Sequence, residues 1–284
     1  MHPIIKAALW MMGTLFSFMA MAVGGRLLSL ELNTFQILFF RSLVGFCCLA
    51  FLLQRSGWNQ VITRQFPLHL VRNLAHFGGQ FGWFFGIASL PLAEVFAIEF
   101  TVPLWTAGLA PLLLQERMTS SRFLAVGLGL AGMLLILKPG LAAVHPAALA
   151  VLGGAGGYAL SHTLTRKLTV RDAPLAILFY MTAIQLPLGF FLSLHGWTTP
   201  SLPLLPWLLV VGLAALSAHY CLANALTLAD VTVVVPLDFL RLPLIALVGF
   251  VFFGEGLEWS VFFGALVMLG GNLANIRAEK RRRT

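Results

Sequence analysis

Five ionisable side chains, Arg41, Arg72, Glu99, Asp238 and Arg241, fall inside apolar stretches long enough to cross a bilayer. Charge in hydrocarbon is costly, and where it persists it faces a partner, a water-filled cavity or a transported solute. Asp238 and Arg241 are one helical turn apart, so a self-contained ion pair is their simplest arrangement. Counted by depth, Arg41 and Glu99 belong to the same half of the membrane and are expected to pair between helices. That leaves Arg72 without an acid. Five residues inside its span, it either snorkels to the surface or attracts the carboxylate of an entering solute.

Neutral polar groups add to this set. Arg72, His76, Gln80 and Trp83 recur at spacings of three and four, which places them on one face of a helix. His219, Tyr220 and Asn224 hold the corresponding depths in a later stretch, with Gln80 and His219 both near the midplane. Together they are candidates for a central binding site, and interhelical hydrogen bonding is the alternative. Tyr158 and His162 lie one turn apart behind Gly153-Gly154-Ala155-Gly156-Gly157. Such small residues favour close helix packing, with a hinge as the other reading, and Gly78, Gly82 and Gly86 carry the same pair of readings. Trp83, Trp105, Tyr158 and Tyr220 are candidates to line an aromatic cavity, although Trp105 suits lipid equally.

The helices that must hold these groups are themselves interrupted. Pro103 and Pro111 fall in one span and Pro236 and Pro243 in another, and each proline removes a backbone donor. These four residues are the expected gates, bending on opposite sides of the cavity.

At 59% hydrophobic and 10% charged residues over 284 positions, the chain reads as an all-α polytopic membrane protein. Continuous apolar runs exclude a barrel, whose strands alternate. The net charge of +8 is concentrated in short loops and the tail, which fits membrane topology and anionic lipid and gives no nucleic-acid signature. The run from Lys6 to Ala22 resembles a signal peptide but has a counterpart later in the chain, so it is expected to be retained. Cys47, Cys48 and Cys221 lie in spans without metal-ligand spacing. No zinc-binding HExxH, nucleophile elbow, GxGxxG or P-loop is present, so neither an enzyme, a cofactor nor ATP-driven transport is expected.

Ten spans are predicted, near 5–25, 34–54, 67–88, 93–114, 123–138, 146–165, 174–194, 206–227, 231–253 and 258–276. The chain repeats itself across them. At one register Gly13 meets Gly153, Arg26 meets Arg166 and Ile37-Leu38-Phe39 meets Ile177-Leu178-Phe179. One residue closer, Gly57-Trp58 meets Gly196-Trp197, Glu99-Phe100 meets Asp238-Phe239 and Glu116 meets Glu255. The expected units are 1–140 and 141–284, each with five helices, and an odd number forces the second copy to enter the membrane inverted. Basic residues crowd loops 55–66, 115–122 and 166–173 and the C-terminal tail, which places both termini in the cytoplasm.

With Leu90-Pro91-Leu92-Ala93-Glu94 before the fourth span, Gln115-Glu116-Arg117 after it, and Val235 to Pro243 followed by Gly254-Glu255 in the second half, the whole chain resembles the EamA-type branch of the drug/metabolite transporter superfamily. The resemblance implies a secondary transporter or facilitator of small organic metabolites in the inner membrane, working as a monomer or homodimer. Amino-acid export is the leading expectation. The runner-up is uptake of a larger metabolite such as a vitamin or S-adenosylmethionine, and a non-transporting scaffold is the alternative from another class. The first span lacks the acid of the small multidrug relatives, which argues against their proton antiport. An uncoupled cycle is expected, with a midplane histidine as the alternative proton carrier.

Overall fold

The computed structural model describes residues 3–114, 119–138, 144–229, 234 and 237–283. These residues form helices α1 (Pro3–Leu28), α2 (Thr34–Ser56), α3 (Phe66–Ser89), α4 (Leu92–Glu99), α5 (Val102–Leu114), α6 (Ser120–Leu137), α7 (Pro146–Leu168), α8 (Pro174–Ser193), α9 (Leu205–Leu228), α10 (Arg241–Phe253) and α11 (Trp259–Arg283). No strand occurs among the described residues.

Local sequence sets the ends of these helices. Asn33 and Gln36 close a capping box at the start of α2. His145 accepts the Ala147 amide ahead of Pro146, which opens α7 in the position where a missing N–H costs nothing. Gly254 ends α10 in the left-handed region at φ 64°.

Six helical segments are long and apolar enough to cross a membrane: Ile5–Leu28, Thr34–Ser56, Leu92–Leu109, Pro174–Ser193, Leu202–Leu228 and Trp259–Ala278. Neither α3 nor α7 is among them, because α3 carries buried His69, Arg72, Asn73, His76 and Gln80 and α7 is rich in glycine and hydroxyls. These two helices pack on each other. A Cβ on Gly79 would meet the Tyr158 ring at 2.8 Å, and one on Gly157 would meet the Ala75 carbonyl at 2.7 Å. Gly82 and Gly86 press equally closely on Ala150 and Val151. The stripes of small residues therefore bring backbones together. Gly78, which has nothing near its Cβ position, lies outside that contact.

The remaining large pairings are α1 with α9, α2 with α8 and α6 with α11. Exchanging each helix for its counterpart in the other half turns α1·α9 into α7·α3 and leaves α2·α8 and α6·α11 unchanged.

The fourth predicted span is not continuous. It breaks at Phe100–Thr101 between α4 and α5, and the ninth breaks at Leu240, ahead of α10. Val102 and Arg241, which open α5 and α10, stand 139 residues apart, the spacing that separates Glu99-Phe100 from Asp238-Phe239. Pro103 and Pro243 consequently sit in first turns, where proline fits the helix, and the break is beside them instead of at them. Pro111 lies within α5, which continues to Leu114, so no interruption occurs there. Pro236, Glu116 and Arg117 lie outside the described residues.

Candidate functional site

The two helix breaks meet at the centre. Phe100 and Phe239 stack with ring centroids 4.1 Å apart and planes inclined by 16°. Each break presents the preceding carboxylate, Glu99 or Asp238, to the same guanidinium. Arg241 lies 2.8 Å from Asp238 and 3.5 Å from Glu99. Trp83 Nε1 donates to Glu99 at 2.9 Å, and the Arg241 guanidinium carbon lies 4.5 Å from the centre of the Phe18 ring. The Asp238–Arg241 pair thus exists but is not self-contained. Nor does Arg41 pair with Glu99, because the break turns Glu99 towards Trp83 and Arg241.

These groups line a cavity of about 550 Å³, within the range of about 300–1,000 Å³ usual for small-molecule sites. Its wall includes Phe18 and Met21 of α1, Arg41 of α2, His76 and Trp83 of α3, Pro103 and Thr106 of α5, Tyr158, His162 and Arg166 of α7, His219 of α9, and Asn272 and Asn275 of α11. Tyr158 and His219 flank His76, with ring centroids 5.4 Å and 6.3 Å from its own.

Of the residues singled out from sequence, His76, Trp83, Tyr158, His162, His219, Arg41, Glu99, Asp238, Arg241 and Pro103 come together in this wall. Gln80 stands behind it, donating to His76 Nδ1 at 2.9 Å. Tyr220 and Asn224 are placed elsewhere. Tyr220 is 63% exposed on the outside of α9 with its ring on Trp10, and the Asn224 amide donates to the Tyr220 carbonyl of its own helix. One turn of helix separates an inward from an outward face, and depth alone does not distinguish them. Trp105 is also outward, at 42% exposed.

Arg72 does not snorkel. It is buried, with Nε on the Thr165 hydroxyl at 3.0 Å and Nη1 on the Asn73 side chain at 2.6 Å. Gln185, which sequence reasoning passed over, donates to the Asn73 carbonyl at 3.2 Å and to His76 Nδ1 at 3.0 Å. A polar residue facing α3 from inside the seventh span was its only signal. Asn272 and Asn275 gave a similar one near the end of the last span.

Outside the membrane-spanning segments, the two ends of the bundle are tied differently. At one end the Asp172 carboxylate accepts from Thr63 Oγ1 at 2.8 Å, His69 Nε2 at 2.9 Å and Gln65 Nε2 at 3.1 Å. Burial alone would raise its pKa, but these donors outweigh it and hold the carboxyl below the usual aspartate range. At the other end Arg26 pairs with Glu255 at 3.0 Å and donates to the carbonyls of Ile87 and Leu90, while Glu255 accepts the Leu92 amide at 2.7 Å. Lys138 and Glu258 also meet at this end, 2.6 Å apart, and the bond from Lys138 is the main cause holding the Glu258 carboxyl low.

The same architecture is found among known proteins. The S-adenosylmethionine uptake transporter of Rickettsia bellii is 26% identical over 272 residues, covering 96% of this chain and 94% of the relative. The riboflavin transporter of Rhizobium johnstonii is 30% identical over 286 residues, covering 98% and 93%. A solved structure titled only as the crystal structure of a protein superposes with a TM-score of 0.67 over 98% of both chains at 16% identity, which shows a shared fold. The pattern of the EamA-like transporter family matches residues 5–138 and again 145–276. With both halves matched and an ion-paired cavity between them, the chain belongs to the EamA-like transporter family of the drug/metabolite transporter superfamily, multi-pass membrane transporters of small molecules and not enzymes.

Proposed function

We propose that this protein carries a flat, polar metabolite larger than most amino acids across the bacterial inner membrane, with S-adenosylmethionine and riboflavin, the solutes named for its relatives, as the first candidates. The observation that carries this reading is the central cavity, where the aromatic rings of Phe18, Trp83, Tyr158, Phe100 and Phe239 adjoin buried charges. Rings take the flat part of a solute and the charges fix its orientation. Amino-acid export, the leading expectation from sequence, finds no support in the names of these relatives.

The working arrangement in this reading is a pair of inverted five-helix halves, residues 1–140 and 141–284, alternating access around the stacked pair Phe100–Phe239. Support comes from the helix pairings, which map onto themselves when the halves are exchanged, and from the equivalent breaks ahead of Val102 and Arg241. Pro103 and Pro243 then stiffen the first turns of α5 and α10, and the bending is assigned to the residues just before them.

Both termini are assigned to the cytoplasm. Asp172 binds the basic loops 55–66 and 166–173 together on one face, whereas Glu255 and Glu258 lie on the other, in keeping with the positive-inside rule. The cavity reaches Arg166, Asn275 and Ile276 near the basic face, and the Arg26–Glu255 bonds close the opposite one. This conformation is therefore read as open to the cytoplasm.

Counterflow in proteoliposomes tests the function. Vesicles preloaded with unlabelled S-adenosylmethionine or riboflavin should accumulate the labelled form of at least one of them. Failure with both, together with counterflow of an amino acid, would restore the export reading.

A further inference from the structure

The charges around the cavity are not evenly balanced. On one side two carboxylates, Glu99 and Asp238, share one guanidinium, Arg241. Apart from them lies Arg41, a residue 7% exposed that lines the cavity, with its Nε buried without a partner and no hydrogen bond from its guanidinium among the described residues. Arg26, Arg72 and Arg241 all have acceptors. The charged and titratable groups facing His76 are Arg72, Arg41, His219, His162 and Tyr158, none of them a carboxylate, and among the described residues Arg72 donates to a neutral hydroxyl and an amide oxygen. Tyr158 is within electrostatic reach of Arg41, Glu99 and Arg241.

The hydrogen bonds around His76 give that side a second donor. Gln185 is fixed as a donor by the Asn73 carbonyl, and it and Gln80 both direct N–H groups at Nδ1 of His76. Nδ1 must therefore accept, which places the ring proton on Nε2. That nitrogen has no protein acceptor among the described residues and is not enclosed, so it faces the cavity that His76 lines. An unpaired guanidinium and an imidazole N–H converge on the same space. Such an arrangement suits an oxygen anion, which a guanidinium takes through two parallel bonds.

We propose that Arg41 and His76 form an oxyanion subsite, so that the transported metabolite carries a carboxylate or phosphate group, bound there and apart from the Glu99–Asp238–Arg241 cluster. The proposal rests on the transport reading above and narrows its substrate class, keeping S-adenosylmethionine, which bears a carboxylate, and excluding riboflavin, which bears neither group. The bound anion neutralises a guanidinium that the fold leaves uncompensated. Any cationic or hydrogen-bond-donating part of the solute is directed towards the two carboxylates.

Calorimetric titration of the purified protein in lipid nanodiscs tests it with matched probes: adenosine 5′-monophosphate against adenosine, and tryptophan against tryptamine. The member bearing the oxyanion should bind at least ten-fold more tightly in at least one pair. Arg41→Gln should abolish that preference, and Arg41→Lys should retain part of it. Equal binding within both pairs, no binding of either anionic probe, or a preference that survives Arg41→Gln would overturn the proposal. If Arg41→Gln does not fold, the wild-type comparison and Arg41→Lys still decide. Counterflow of a neutral solute without anion preference would sink the subsite and leave transport standing, whereas anion binding without counterflow of any solute would do the reverse.

Discussion

Phe100 and Phe239, one in each of the two family-matched halves, lie face to face with their centroids 4.1 Å apart at the points where their helices break. The carboxylates before them do not have an arginine each. Arg241 serves both, and its counterpart in the first half is Val102. Removing Arg241, itself buried, would leave two partly buried carboxylates without a cation. Arg241→Leu should therefore destabilise by about 3–5 kcal/mol, as for other broken buried pairs. Asp238→Asn keeps the Glu99 contact and should cost about 1–3 kcal/mol, the usual effect of losing one charged hydrogen bond. Thermal melts of the two variants in detergent check the order, and equal losses would mean that Glu99 does not share the charge.

The Arg26–Glu255 cluster joins the ends of α1, α3, α4 and α10. Glu255→Gln removes the ion pair and weakens the hold on the Leu92 amide. A bias of one to two kcal/mol changes a two-state population about 5–30-fold. A cysteine introduced by Leu90→Cys, buried in this structure, should react correspondingly faster with an impermeant thiol reagent when Glu255→Gln is also present. An unchanged rate would show that the cluster does not keep this face closed.

These contacts also show how far sequence carried. The polar face of α3 was legible because a helix with Arg72, His76 and Gln80 at intervals of four has one polar side wherever it lies. The pairing of the charges was not. Matching Arg41 to Glu99 by depth assumes a straight fourth span, and the break at Phe100 redirects Glu99. Tyr220 and Asn224 matched the depth of site residues but point away from the cavity, since one sequence does not reveal which neighbour a helix face meets. Gln185 and Asn73 were passed over because their value lies in orienting His76, a relation between helices far apart in the chain.

Asp172 gives a pH signature at the basic face. Its carboxyl is held low in the folded protein, so its contribution to stability is fully present above the ordinary aspartate pKa of about 4 and is lost as pH falls through the lower folded value. His69 Nε2 donates to it whether or not the ring is protonated, so that bond does not reverse the sign. Asp172→Asn should lower the melting temperature at neutral pH, and the difference from wild type should shrink progressively below about pH 4. A difference independent of pH would exclude the carboxylate as its source.

Close packing of α3 on α7 predicts a contrast between neighbouring glycines. Gly82→Ala drives a methyl group onto the Ala150 backbone and should destabilise by about 1–3 kcal/mol, the range for overpacking. Gly78→Ala adds the same group where nothing lies within 4 Å and should leave the melt nearly unchanged. Equal effects would mean that the helices separate more easily than their contact suggests.

The central cavity as the solute's route is tested most directly by blocking it. Thr106 lines the cavity from α5 and is only partly buried. With Cys47, Cys48 and Cys221 replaced by serine or alanine, Thr106→Cys should permit counterflow until a bulky maleimide is attached. Labelling should then abolish counterflow, and bound solute should slow the labelling. Full counterflow after complete labelling would contradict the assignment of this cavity as the transport site.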